Sequence, residues 1–462
     1  MRRIRDSLFR ALISGCLAVV GAAHSSMAIA GCEFQANACF GPGALVSLTS
    51  GYYNTAVGHG AARLTTSGYS NTATGAFALA ANTTASNNTA TGRSSLQNNS
   101  TGQGNTANGA YSLYNNTTGS YNTAGGLWSL SYNTTGTRNT ATGYRALERN
   151  TTGNYNTAVG SEALISNTVG MGNTSIGYWA LSKNTGAGYG TATGYQALQQ
   201  NTTGQFNTAT GAFALQTNTT GGYNSAAGYM ALQSNTTGNY NTAQGHSALR
   251  MSTTGFRNVA LGHQAGYAVS TGSDNIIIGS NNQGYSTDNG VIRIGASQFQ
   301  KKAFIAGIRG VTTTATGAVA VLIDANGQLG TINSSRRLKE DIQPMGSVSE
   351  RLFALRPVSF RYKQAYEDGS KPVQFGLVAE EVAEVFPELV VYGKDGKPET
   401  VAYHVLATLL LNELQKERQL VEELRLDKDV QAARMAALER QVAILAQAVE
   451  RADKSRMVAA TQ

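Results

Sequence analysis

One spacing constrains this chain more than anything else in it. The pattern Asn-Thr-Ala-x-Gly and its variants recur fourteen times, and the glycines run from Gly58 to Gly279 in unbroken steps of 17 residues. An unbroken period means that every unit meets its neighbour in the same way. A 17-residue unit is too short for a helix pair, and it lacks helix-forming composition. It suits a coil of two short strands joined by two tight turns, stacked into a β-solenoid or β-roll. At about 4.8 Å per coil, fourteen coils make a rod on the order of 65 Å long.

The residue types assign themselves within the coil. Ala56, Ala73 and their equivalents are small and point inward. Leu79, Leu147 and Leu198 supply the larger apolar filler. Asn and Gly take the turn conformations that other residues resist. Stacked asparagines can also form hydrogen-bonded ladders. Such a core is thin, which suggests several chains side by side, and residues 41–300 carry only 13 charged side chains to oppose this. The many Asn-Thr-Thr triplets match a glycosylation sequon, but the turn role explains them without glycans. Aligned threonines in the Thr-Ala-Thr triplets raise an ice-binding face as an alternative. Only five of the fourteen coils keep both threonines, so a flat array is broken. The last coils ("DNIIIG", "NGVIRIG") turn β-branched and read as a closing cap. After them, "KKAFIAGIRGVT" and "GAVAVLIDANGQLGTI" read as strands, with Asn326-Gly327 as a hairpin signal.

The coils of residues 45–300 resemble the head repeats of trimeric autotransporter adhesins, which are left-handed parallel β-rolls built from similar but usually shorter coils. The resemblance implies a trimeric, surface-exposed rod with a cell-surface or glycan ligand.

Net charge is +8, spread as +2 over residues 1–40, +5 over 41–300 and +1 over 301–462. No run of lysine and arginine tracks a phosphate backbone, which argues against nucleic acid. The N-terminus reads as an export signal, residues 1–30. A basic "MRRIRDSLFR" precedes the short apolar "ALISGCLAVVGAA", and Ala28 and Ala30 form a cleavage signature. No later stretch is long and apolar enough to span a membrane. Cys32 and Cys39, in segment 31–50, are a disulfide candidate in an exported chain. "IAGC" also resembles a lipobox, which leaves a lipid anchor at Cys32 open. The histidines (24, 59, 246, 263 and 404) show no metal-ligand spacing, and no cofactor is expected.

Beyond the rod (51–300) and a β connector (301–333), the composition turns charged and helical. Residues 403–450 read as a coiled coil. With Ala407 as position a, the a series is Ala407, Leu414, Val421, Lys428, Met435, Val442 and Val449, and the d series is Leu410, Glu417, Leu424, Gln431, Leu438 and Leu445. Ten of these thirteen are apolar, which favours a coiled coil about 65 Å long over a lone surface helix.

Between rod and coil stands "QLGTINSSRRLKEDI" (328–342). A serine-lysine pair can perform proteolysis: a neutral lysine takes the serine proton and the oxygen attacks a carbonyl. Ser334 and Lys339 are five apart and turn about 140° along an ideal helix. Ser334 is therefore expected in a loop before a helix that carries Lys339. The spacing alone is worthless as evidence. Its context is "SSRRLKEDI", "LFALRPVSFRY", "FGLVAEEVAEVFPELVVY" and "KPETVAYHVLATLLLNELQKE". Together these closely resemble the C-terminal intramolecular chaperone of phage tail spikes and fibres, the S74 peptidase family, over residues 334–420. The resemblance implies a small α+β domain (334–402) followed by a trimeric coiled coil. It implies assisted trimerisation and then one self-cut, just before a serine in a motif near S-D-x-R-x-K. Ser334, Arg337 and Lys339 fit that motif, with Ser334 as nucleophile, Lys339 as base and the scissile bond at Asn333–Ser334. Ser335 departs from it, standing where the family often has Asp, which puts the rate of cleavage in question. Glu380 and Glu381 read as a helix surface.

The expectation is an exported homotrimeric fibre with a single-turnover autoprotease acting only on itself. A prophage tail fibre that binds a host receptor is the alternative, opposed by the export signal. An uncut structural or ice-binding solenoid with a permanent trimer clasp is another.

Overall fold

Asn-Thr-Ala-x-Gly folds as one three-residue strand per coil. In the computed structural model, which describes residues 35–459 apart from 297, 307, 309–315, 325, 326 and 394, sixteen such strands form one parallel sheet in chain order. They run from β1 (Ala38–Phe40) to β16 (Ile292–Ile294). The register steps by 17 residues from β1 to β15, so that Ala56 pairs with Ala73 and Ala73 with Ala90, and Ile276 of the fifteenth strand pairs with Ile292 of β16. The ladder starts at Ala38, ahead of the first clear repeat. The chain divides into two units, Met1–Ile305 and Ala306–Gln462.

The coil has one strand where the sequence suggested two. The "AL" segment opposite is not extended. Phe77 and Leu79 sit in the left-handed region, at φ 59° and 54°, and every full coil repeats this for its leucine position or its neighbour. A bulky residue there costs roughly 1–2 kcal/mol. Burial of a leucine returns about 1.5–3 kcal/mol, and the segment still bonds both neighbours. The Phe77 N–H donates to the His59 carbonyl behind, and the Leu79 N–H to the Ser95 carbonyl ahead. Stacking therefore outweighs the local strain.

The strand alanines and the leucines are fully buried inside the single chain. The coil closes its own core, and side-by-side packing is not needed for that purpose. Glycine at the end of each repeat has a steric cause. Gly75 has φ +134°, and a Cβ there would lie 2.6 Å from the Gly92 carbonyl oxygen of the next coil.

Two buried asparagine ladders line the core. In the first, Asn71 Nδ2 donates to Asn54 Oδ1 at 3.0 Å and to the Ala85 carbonyl at 2.9 Å. In the second, Asn116 Nδ2 donates to Asn99 Oδ1 at 2.7 Å and to the Gly119 carbonyl at 2.8 Å. The second ladder uses the Asn-Thr-Thr asparagines, which are therefore shut away from any glycosylating enzyme in the folded rod. It ends at Asn235, because the next coil offers Ser252, and both Asn235 Oδ1 and Ser252 Oγ are buried without a partner. Ser252→Asn is expected to extend the ladder and stabilise the rod by about 1 kcal/mol. Thermal unfolding monitored by circular dichroism checks this.

The solenoid closes on an ion pair. Asp288, 5% exposed, accepts from Arg293 Nε and Nη2, each at 2.7 Å, and from the Tyr285 N–H at 3.0 Å.

In the second unit, β17 (Leu322–Ile323) and β18 (Leu329–Gly330) form the hairpin expected at Gly327; Asn326 lies outside the described residues. Residues 301–305 form no strand. Next come β19 (Val358–Phe360) paired with β20 (Gln374–Gly376), helix α1 (Ala379–Val385), β21 (Val390–Tyr392) paired with β22 (Pro398–Val401), and helix α2 (Tyr403–Ala459). Val382, Phe386, Leu389, Val401 and Leu409 form the core of this small domain. Among the described residues no helix is long and apolar enough to cross a membrane.

Candidate functional site

The junction is a bend pinned by side chains. Asn333 Oδ1 accepts the Ser335 N–H at 2.9 Å, which folds the chain around Ser334. Ser335 starts a single 3-10 turn, Arg336–Leu338, closed by the Leu338 N–H to the Ser335 carbonyl at 3.0 Å. Ser334 precedes that turn and Lys339 follows it as its C-cap, so the helix expected to carry Lys339 is reduced to one turn that stops before it. The chain leaves the turn extended at Lys339, and Asp341 beyond it takes a left-handed conformation (φ 50°). Ser334, Arg337 and Lys339 are all exposed in the single chain. Arg337 Nε donates to Ser335 Oγ at 3.3 Å. The hydroxyl of Ser335 thus meets the arginine where an aspartate would present a carboxylate.

Cys39 is disulfide-bonded. Cys32, Cys16 and the export-signal residues lie outside the described residues.

A second polar cluster had no signal in the sequence. Ser349 sits in a 3-10 turn (Val348–Ala354), is fully buried, and donates its hydroxyl to Glu413 Oε1 of α2. Asn412 Nδ2 donates to Ser349 Oγ at 2.6 Å and to the Gly346 carbonyl at 3.1 Å. Lys416 Nζ bridges Glu413 at 2.9 Å and Glu350 at 3.0 Å. The cluster clamps the start of α2 to the domain across 64 residues of chain. Only the Glu413–Lys416 spacing of three is local.

The Ser349 hydroxyl, and then Lys416, hold the Glu413 carboxyl below its ordinary value of 4.5. Glu413, first of all, raises Lys416 above 10.5. A lowered carboxylate contributes stability that is complete above its unfolded value and lost as pH falls through the folded one. Lys416 behaves in the opposite sense, its share being lost only as pH rises above 10.5. The clamp is thus complete between these limits. The unfolding temperature of the C-terminal unit is expected to fall on acidification below pH 4.5. Glu413→Gln should shrink that fall in a melting series against pH.

Glu380 and Glu381 lie on α1, and Glu381 pairs with Arg356. Arg351 pairs with Glu388 at 3.1 Å and stacks on Phe386, its guanidinium 4.0 Å from the ring centroid. An apolar groove of about 460 Å³ opens between the domain and the start of α2. Leu352, Leu355, Phe375, Tyr403, Leu406 and Leu410 are among its walls.

Beyond this start, α2 stands free along its length. Its heptad seam is open: Leu410, Leu414, Val421, Leu424, Met435, Leu438, Val442, Leu445 and Val449 are all 54–64% exposed. The domain packs on a different face, through Leu409, Glu413 and Lys416, and the seam stays exposed in the single chain.

Residues 334–391 match the family model of Peptidase_S74, described as the chaperone of endosialidase. The match opens on Ser334 and takes in the junction turn, the two small hairpin sheets' first three strands and α1. The C-terminal segment is thus similar to this family over residues 334–391, and it follows a long β-solenoid of 17-residue coils. No curated protein and no solved structure matches the chain.

Proposed function

We propose that the chain is an exported homotrimeric fibre whose C-terminal S74 domain drives assembly and then cuts itself from the rod at Asn333–Ser334. The observation that carries this reading is the open seam of α2. A helix of 57 residues whose apolar stripe, interrupted at Glu417, Lys428 and Gln431, lies open to water is unfavourable alone. Burying its nine large seam side chains against other copies contributes about 1.5–3 kcal/mol each.

Lys339 takes the proton of Ser334 Oγ. The oxygen adds to the Asn333 carbonyl, the C–N bond breaks, and the amine leaves with a proton. Water hydrolyses the resulting ester. Asn333 ends as a carboxylate and Ser334 as the new N-terminus. Ser334 and Lys339 are open to solvent in the single chain. A neighbouring copy packed over them would fix the two side chains in reacting geometry while leaving a path for water, and cleavage then reports that assembly is complete. Release of the domain leaves a rod whose register and stacking persist kinetically. The charge-poor rod surface, rich in tyrosine, asparagine and threonine, is the part that meets a cell-surface or glycan ligand.

Sedimentation equilibrium of the full chain carrying Ser334→Ala tests the reading. Three chains per particle is the expected mass. A single-chain mass contradicts it.

A further inference from the structure

The groove beside α2 is not a small-molecule pocket by position. Two of its walls, Tyr403 and Leu410, belong to the d series of the heptad, seven residues apart. The groove is the upper end of the same seam that runs open down the helix. Whatever covers the seam continues into it.

The flanking positions say what that is. With Ala407 at a, Leu406 is g and Leu411 is e. These positions border a coiled-coil core and are usually charged. In a parallel, in-register coil, a g residue faces the e residue five positions later on the neighbouring helix. Leu406 then faces Leu411 of another copy. Further down, the same rule pairs Arg434 with Glu439, of opposite sign. Leu406 is partly buried in the groove wall, while Leu411 is 52% exposed and points away from its own domain core. Each copy therefore offers a leucine knob at the height where its neighbour offers an apolar hole. Phe375, 83% exposed on β20, forms the outer lip of that hole.

We infer that the groove of each chain receives Leu411 of a second copy, so that the chaperone domain itself, and not only the coil, forms the assembly interface. The inference rests on the oligomeric reading above and adds a specific contact to it. An interface that joins one copy's domain to the next copy's helix ties folding of the domain to assembly, since the hole exists only once β19 and β20 have docked on α2.

The test places photoreactive p-benzoylphenylalanine at Leu411 in the full chain carrying Ser334→Ala. Leu411 is exposed, so the substitution leaves the fold intact. A control chain carries the same group at Val442, an a position far from the domain. Irradiation followed by a denaturing gel and peptide mapping reads the result. Doubled-mass bands from both positions, with the Leu411 cross-link mapped to 352–358, 375–377 or 403–410, are expected. A doubled band from Val442 alone, or a Leu411 cross-link mapped elsewhere, overturns the inference while the coiled coil stands. No doubled band from either position, with a single-chain mass in solution, overturns both.

Discussion

A chain carrying Leu424→Asp and Leu438→Asp is expected to be a monomer and to stay uncut. Both leucines are d positions and stand 60% and 55% exposed in the single chain. In an isolated helix the aspartates meet only water and cost little. In a coiled coil each would bury a carboxylate without a partner, on top of the lost apolar burial of about 1.5–3 kcal/mol per leucine. Three copies multiply that penalty, and several kcal/mol per assembly shifts the equilibrium by many powers of ten. The small domain keeps its own core, because Leu409 and Glu413 lie on another face. Its melting should therefore survive while the oligomer does not. If cleavage needs a neighbour over Ser334 and Lys339, the monomer remains full length on a denaturing gel. A monomer that still cuts at the normal rate would separate the protease from assembly.

The second large effect lies in the rod. Leu147→Ala is expected to destabilise the solenoid by about 2–5 kcal/mol. Leu147 is fully buried and stacked between Leu130 and Leu164 in the same column. The solenoid has few other large core side chains, and its coils touch only their neighbours, so the cavity has little to collapse onto. The stacking is one-dimensional, and a coil that opens uncouples the coils on either side. Loss of protection in amide exchange should therefore spread over residues 130–164 before the distant coils. Gly143→Val should be worse, since Gly143 has φ +133° and a Cβ there would lie 2.5 Å from the Gly160 carbonyl oxygen.

The rod was largely legible because its sequence repeats at one fixed spacing. The inward alanines, the leucine filler and the asparagine ladders all follow from that spacing and from residue size. The single strand per coil was not legible. Phe77 and Leu79 occupy left-handed backbone that bulky residues avoid. Only the contacts of neighbouring coils over-determine it, and no local propensity announces that. The junction was read from its motifs, and its bend at Asn333–Ser335 fits the expected loop. The helix expected under Lys339 shrank to one turn, which ends at Leu338 with Lys339 already extended. The Ser349–Glu413 clamp left no trace in the sequence. Its partners lie 64 residues apart, and a buried serine looks like any other until the fold brings a carboxylate to it. The open seam, by contrast, was present in the heptad, because a/d periodicity depends only on neighbouring turns.

The central claim is that this chain cuts itself at the junction. The most direct test is the denaturing intact mass of the purified wild-type chain beside its Ser334→Ala and Lys339→Ala variants. The account predicts a C-terminal fragment beginning at Ser334 in the wild type and only full-length chain in both variants. A single uncut chain in all three, from protein shown to be trimeric, would contradict it and leave the domain as a permanent clasp on the fibre.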